Sequence, residues 1–242
     1  MKLVSLSKLK QLQNASMYDN NISDIEADEK FLKIYSVIKC YTLAGIERCY
    51  ALYKSVKYVL DNNIPGDFVE CGVWRGGSCM LMVYTLMESG IKDRTIWLYD
   101  TFAGMTKPGE QDGAAEKEEW EMNKITDEKN KWCLGELEEV KQNLQSTGYP
   151  VNNFRIIKGK VEDTIPSDMP QKIAILRLDT DWYQSTKHEL EYLYPLLQKG
   201  GVLIVDDYGA WQGARKATDE YFSKNGLVFL NRVDYTGRLV IK

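Results

Sequence analysis

Two stretches of this 242-residue chain end abruptly in acids, Ile175-Leu176-Arg177-Leu178-Asp179-Thr180-Asp181 and Val202-Leu203-Ile204-Val205-Asp206-Asp207. Each is an apolar run of strand length, so Asp179, Asp181, Asp206 and Asp207 fall just past the C-terminal ends of two strands. Open parallel sheets bind ligands there. Hard divalent cations take oxygen ligands, and four carboxylates in such a place point to a metal ion. The aspartates also have a plainer use, because Asp179 or Asp181 can cap a helix beginning near Ser185, and Asp206-Asp207 one beginning near Ala210. Carboxylates crowded at neighbouring strand ends repel one another, however, and a cation between them relieves that cost.

A second set of residues lies upstream. A strand at Phe68–Glu70 runs into Glu70-Cys71-Gly72-Val73-Trp74-Arg75-Gly76-Gly77-Ser78, and the next strand ends in Tyr99-Asp100-Thr101-Phe102. Glycines at a strand-to-helix turn let backbone approach a ligand, and an acid at the end of the second strand can accept hydrogen bonds from ribose hydroxyls. The spacing is not G-x-G-x-x-G, and Arg75 inside the loop favours a cofactor with a carboxylate over a nicotinamide dinucleotide. S-adenosylmethionine meets that need. Alone, the glycines make a tight turn and Asp100 a helix cap; one β–α unit apart, they favour cofactor binding.

The elements that must hold these residues are legible in outline. After a polar leader, a helical region from about Asp28 to Asn62 presents Cys49, Leu52, Tyr53, Val56, Val59 and Leu60 at helical spacing, which gives a cap to lay on a sheet. The turn Asn62-Asn63-Ile64-Pro65-Gly66 closes it. Strands are expected at Phe68–Glu70, Thr95–Tyr99, Phe154–Ile157, Ile173–Leu178, Val202–Val205, Leu227–Leu230 and Arg238–Ile241, the last two as an antiparallel hairpin. The fold class expected is therefore α/β, a Rossmann-like sheet closed by a hairpin, which resembles the class I methyltransferase arrangement, with an N-terminal helical cap: leader and cap over residues 1–62, and the sheet domain over 63–242. The stretch 103–131, with Pro108, Gly109, Gly113 and the run Glu116-Lys117-Glu118-Glu119 near Trp120, reads either as a lid over the acceptor or as a solvated insertion.

Composition narrows the class of partner. At 44% hydrophobic the chain can bury one sizeable core, and a net charge of -4 carries no basic surplus for nucleic acid. Cys40, Cys49, Cys71, Cys79 and Cys133 form no C-x-x-C pair, and Lys2, Lys8 and Lys10 interrupt any secretory signal, so free thiols in the cytoplasm are expected. No apolar run approaches the ~18 residues of a membrane span.

Four motifs together, Glu70–Gly77, Asp100-Thr101-Phe102-Ala103-Gly104-Met105, Leu178–Thr186 and Gly200-Gly201 through Asp206-Asp207-Tyr208-Gly209, resemble the macrocin O-methyltransferase family over roughly residues 42–222. The resemblance implies an S-adenosylmethionine- and Mg²⁺-dependent enzyme that methylates sugar hydroxyls of natural products and acts as a homo-oligomer. It implies that Asp179, Asp206 and Asp207 hold the metal and that Asp181 is the general base. The expected cofactor site comprises Glu70, Cys71, Gly72, Arg75, Gly76, Gly77, Ser78, Asp100, Thr101 and Phe102, with Val161 and Glu162 near the adenine and Asp179 on its border. Thr42-Leu43-Ala44-Gly45-Ile46-Glu47-Arg48 resembles the family's Thr-x-x-x-x-Glu-Arg segment, though members more often carry Ser-Pro in place of Ala44-Gly45; Glu47 and Arg48 read as a solvated pair or as part of the pocket.

The activity expected is methyl transfer from S-adenosylmethionine to a sugar hydroxyl of a natural product or glycan. A catechol-like phenol is an alternative acceptor, and a non-catalytic S-adenosylmethionine-binding regulator is an alternative role. His188, the one histidine, lies in the helix after the Asp179 motif and reads as structural.

Overall fold

A computed structural model gives the structure of residues 23–242; most of the polar leader, with Lys2, Lys8 and Lys10, lies outside the described residues. The helices are α1 (Ser23–Glu26), α2 (Glu29–Ile38), α3 (Ile46–Asp61), α4 (Gly77–Glu88), α5 (Ala114–Met122), α6 (Leu137–Ser146), α7 (Val161–Thr164), α8 (Tyr183–Tyr192) and α9 (Gln212–Asn225). The strands are β1 (Asp67–Cys71), β2 (Ile96–Asp100), β3 (Phe154–Lys158), β4 (Ile173–Leu178), β5 (Leu197–Val205), β6 (Asn231–Arg232) and β7 (Arg238–Ile241). They form one sheet in the order β3-β2-β1-β4-β5-β7-β6. The first five are parallel, and β7 runs antiparallel to both β5 and β6.

Strand order reverses between β1 and β4, so the connections leaving their C-terminal ends diverge and open a crevice. Alternation along the strands feeds two cores. Phe68, Ile96, Leu98, Ile175, Val202 and Ile204 face α2, α3, α4 and α6, while Val69, Leu176, Leu178, Leu203 and Val205 pack with Leu190 and Phe222 of α8 and α9. The cap shares the first core through Phe31, Ile34 and Ile38 of α2 and Cys49, Leu52, Tyr53, Val56 and Val59 of α3; Leu60 is only half-buried.

Several elements depart from the sequence reading. The helical region at 28–62 is two helices: Asp28 caps α2 by accepting from the Phe31 amide at 3.0 Å, and the break at 39–45 brings Thr42–Ala44 to the crevice. Strand β5 begins at Leu197, because Gly200 at φ 81° sits within a bulge between Ile173↔Leu197 and Ile175↔Val202 rather than in a turn. The hairpin is antiparallel as expected, but its first arm is Asn231–Arg232. Leu227–Leu230 is not a strand: past Gly226, which ends α9, Leu227 and Phe229 are 89% and 81% exposed.

Candidate active site

The C-terminal ends of β1, β2, β4 and β5 surround a cavity of about 320 Å³, lined by Gly72, Asp100, Asp179, Asp181, Asp206 and Asp207 among others. Loops here are held in unusual conformations. Asp181 (φ 67°), Trp74 (48°), Phe102 (51°) and Cys133 (48°) all occupy the left-handed region without being glycine, a strain that tends to concentrate at functional sites. Gly72 at φ 82° has a different reason: a Cβ there would lie 1.9 Å from the carbonyl oxygen of Asp179, so only glycine lets the two loops meet.

Asp179, Asp206 and Asp207 each direct a carboxylate oxygen to one place, with those atoms within 4.8 Å of one another. Beneath them lies Arg177, 3% exposed, in a strand buried along its whole length. Its Nη1 donates to Asp179 Oδ2 at 2.6 Å and to Glu70 Oε1, and its Nη2 donates to Asp206 Oδ1 at 2.6 Å, so one guanidinium ties three strand ends together. The sequence reading missed this, because Arg177 stands inside an apolar run; an ionised residue two positions before Asp179, and so on the same face of the strand, was the available signal. Arg48 of α3 approaches from above, with Nη1 against Asp206 Oδ2 and Nε donating to Asp234 Oδ2 at 3.1 Å. Arg48 is therefore a pocket residue, not half of a solvated pair.

The acids remain in excess of the arginines. Burial, then repulsion from Asp181, Asp179 and Asp206, holds the Asp207 carboxyl well above the ordinary range. Burial also lifts Asp179, against the pull of Arg177 and with Asp206 and Asp181 adding to the rise, and raises Asp181 to about 6. Asp207 Oδ2 is buried with no hydrogen-bond partner. The helix-capping alternative fails for these acids, since the N-caps of α8 and α9 are Trp182 and Trp211, neither with a side-chain cap bond.

On the other side of the crevice, Asp100 Oδ2 accepts from the amides of Val73 (2.7 Å) and Trp74 (3.1 Å), and Oδ1 from Phe102 (2.7 Å). The acid thus fixes the glycine loop while bordering the cavity. Thr101, Ser78, Val161 and Glu162 line the same space. Glu70 lines it too, but its carboxylate is engaged by Arg177 and by the Cys79 thiol. Cys71, Gly76, Gly77 and Phe102 do not line the cavity, and neither does Arg75. Arg75 was expected to face a cofactor carboxylate. It turns outward instead, because Glu139 of α6 binds its Nε at 2.6 Å, the Cys40 carbonyl accepts from Nη1, and Tyr41 and Trp74 offer their ring faces.

The 103–131 stretch is folded down. Trp120 is buried with its indole donating to the Met105 carbonyl, Asn130 bonds back to Ala103 and Trp120, and Asp112 accepts from the first amide of α8, Tyr183, at 2.9 Å. Its near end supplies Gly104, Met105 and Thr106 to the cavity wall. Trp132, Trp182 and Trp211 meet edge to face at 5.7 to 5.9 Å, and Trp132 and Trp211 line the cavity. His188 lies elsewhere, bonded to the Ile165 carbonyl and packed on Tyr192.

A parallel sheet with a reversal beside β1, an antiparallel closing strand, a glycine turn after β1 and an acid ending β2 define a class I methyltransferase. The family model described as Macrocin-O-methyltransferase (TylF) matches residues 4–241, and the chain belongs to that family. It is 38% identical over 184 residues, 76% of this chain and 68% of the relative, to a demethyldecarbamoylnovobiocin O-methyltransferase of Streptomyces niveus. It is 35% identical, over 81% of this chain and 74% of the relative, to a Streptomyces olivaceus enzyme named 8-demethyl-8-(2,3-dimethoxy-alpha-L-rhamnosyl)-tetracenomycin-C 4'-O-methyltransferase. The solved structure of the O-methyltransferase NovP superposes with a TM-score of 0.74 at 35% identity, covering 84% of this chain and 82% of that one. The protein is an S-adenosylmethionine-dependent O-methyltransferase.

Proposed function

We propose that this enzyme methylates a sugar hydroxyl of a glycosylated natural product, with a divalent cation, Mg²⁺ by the chemistry of its donors, held by Asp179, Asp206 and Asp207. The observation that carries this reading is the convergence of those three carboxylates beside Asp181 and across the crevice from Asp100. The donor set is all oxygen, as Mg²⁺ requires, and the unpartnered Asp207 Oδ2 is an atom that a cation would satisfy. When bound, the cation would supply Lewis acidity that eases loss of an acceptor proton.

The chain's own residues do the rest. Asp181 receives the proton of the acceptor hydroxyl; its carboxyl, lifted to about 6 by burial, is a stronger base than an exposed aspartate and still ionised near neutrality. The sulfonium of S-adenosylmethionine supplies an activated methyl, so the protein's task is to align oxygen, methyl carbon and sulfur and to exclude water. Asp100 serves the first end by fixing the glycine loop and presenting a carboxylate to the ribose. Trp132, Trp211 and Met105 serve the second, and their apolar surface suits the C–H face of a sugar ring.

The sugar acceptor is also favoured by the tetracenomycin relative, whose name specifies a rhamnosyl-bearing substrate and 4'-O-methylation. The test is methyl transfer from labelled S-adenosylmethionine to a panel of glycosylated metabolites and nucleotide sugars. EDTA should abolish it and Mg²⁺ restore it; full activity after chelation would remove the cation from the account.

A further inference from the structure

Arg48 is the cationic side chain that the helical cap sends into the cavity, and its surroundings are unlike those of Arg177. It stands in the first turn of α3, where the helix dipole disfavours a positive charge, so carboxylates must hold it in place. Two do: Asp206, whose Oδ2 it contacts through Nη1, and Asp234, whose Oδ2 accepts from Nε at 3.1 Å. Asp206 thereby has both oxygens engaged, Oδ1 by Arg177 and Oδ2 by Arg48.

The two arginines differ in how firmly they are fixed. Arg177 is tied also to Glu70 and Asp179 and is enclosed by the sheet. Arg48 has a second berth at Asp234, which the turn between β6 and β7 holds rigid through Oδ1, an acceptor for the amides of Thr236 (2.9 Å) and Gly237 (2.6 Å). Meanwhile Asp207 Oδ2, on the neighbouring residue, has no partner. A divalent cation among Asp179, Asp206 and Asp207 would meet a guanidinium already on one of its ligands, and like charges at such range repel strongly in a partly dry site.

Resting on the cation reading above, we propose that Arg48 is a displaceable internal cation: it neutralises Asp206 in the cation-free protein, and a divalent cation competes with it, shifting it toward Asp234. Arg48 acts through Asp206 and is a positioning residue, not a catalytic one. Its neighbours Thr42, Leu43 and Ala44 line the cavity, so release of Arg48 passes the occupancy of the cation site to that wall.

Titration calorimetry of the metal-free full-length chain with MnCl₂ or MgCl₂ alone, without cofactor or acceptor, tests this. Arg48→Met should bind the cation about tenfold or more tighter than the unaltered chain, because the competitor is gone. Asp234→Asn should bind it several-fold more weakly, because Arg48 then has Asp206 as its remaining carboxylate. Amide exchange over Thr42–Arg48 should rise on cation addition in the unaltered chain and stay constant in Arg48→Met. If the unaltered chain binds the cation and Arg48→Met binds it no tighter, the proposal is overturned while the cation reading stands. No binding in either protein removes the cation reading and this proposal with it. Should Arg48→Met lose its helical circular dichroism, the sign of the Asp234→Asn effect decides.

Discussion

Replacing Arg177 with Met keeps a long side chain but strips the guanidinium shared by Glu70, Asp179 and Asp206. Breaking a buried ion pair by removing one partner costs about 3–5 kcal/mol, because the remaining charge is stranded in a low dielectric. In a domain of this size that corresponds to a fall in Tm of roughly 6–20 °C. The loss should depend on pH with a definite sign. Burial already lifts the Glu70 and Asp179 carboxyls above their unfolded values, and deleting Arg177, whose charge pulls both down, lifts them further. A folded pKa above the unfolded one means that stability is retained at low pH and lost as pH rises through the folded value. The gap between Arg177→Met and the unaltered chain is therefore expected to be smallest near pH 4, widening to about 3–5 kcal/mol by pH 8. Urea denaturation of both proteins in excess EDTA, fitted with a common m value, measures it. Arg177→Lys, which keeps the charge but cannot bridge three acids, should recover part of the loss. A difference below about 1 kcal/mol, or one unchanged between pH 4 and 8, would refute the view that Arg177 is the electrostatic floor of the site.

Asp181→Asn should retain S-adenosylmethionine and cation binding by calorimetry yet lose about 10²–10⁴-fold in kcat, the usual range for a general base; near-normal turnover would remove it from that role. Asp100→Ala removes the acceptor for three amides, so it should weaken cofactor affinity and also increase amide exchange at Val73 and Trp74; unchanged affinity would exclude a ribose contact. Because burial and mutual repulsion hold the Asp179, Asp181 and Asp207 carboxyls above the ordinary range, their contribution to the stability of chelated protein should fall as pH rises, that of Asp181 through about 6. The rise in Tm produced by excess Mg²⁺ should accordingly grow over that window, and a constant rise from pH 5 to 8 would contradict the assignment.

The chemistry of this chain was legible where it is written as a change of regime along one strand. An apolar run that stops at Asp179 or at Asp206-Asp207 announces a strand end, and the switch-point rule then supplies the crevice. The glycine turn was legible as a close approach, although not what Gly72 approaches: the partner is the Asp179 carbonyl, brought there by strand pairing between β1 and β4. Residues whose roles depend on a distant partner were harder. Arg75 read as a cofactor ligand from its place in the glycine loop, yet Glu139 and the Cys40 carbonyl claim it. Arg48 was left open between a solvated pair on a helix and a pocket residue, because the partners that decide it, Asp206 and Asp234, are 158 and 186 residues away in sequence. Arg177 was hidden by the apolar residues around it. The short final hairpin was overextended to Leu227–Leu230 because apolar composition resembles a strand, whereas only Asn231 and Arg232 find register partners on β7.

The central claim is tested most directly by single-turnover transfer from methyl-labelled S-adenosylmethionine, followed by mass spectrometry and NMR of the product, across glycosides and simple catechols. The account predicts one added methyl ether on a sugar hydroxyl, lost in Asp181→Asn and on chelation, and regained with Mg²⁺. Transfer to a phenol in preference to any sugar, or transfer that survives both Asp181→Asn and chelation, would contradict it.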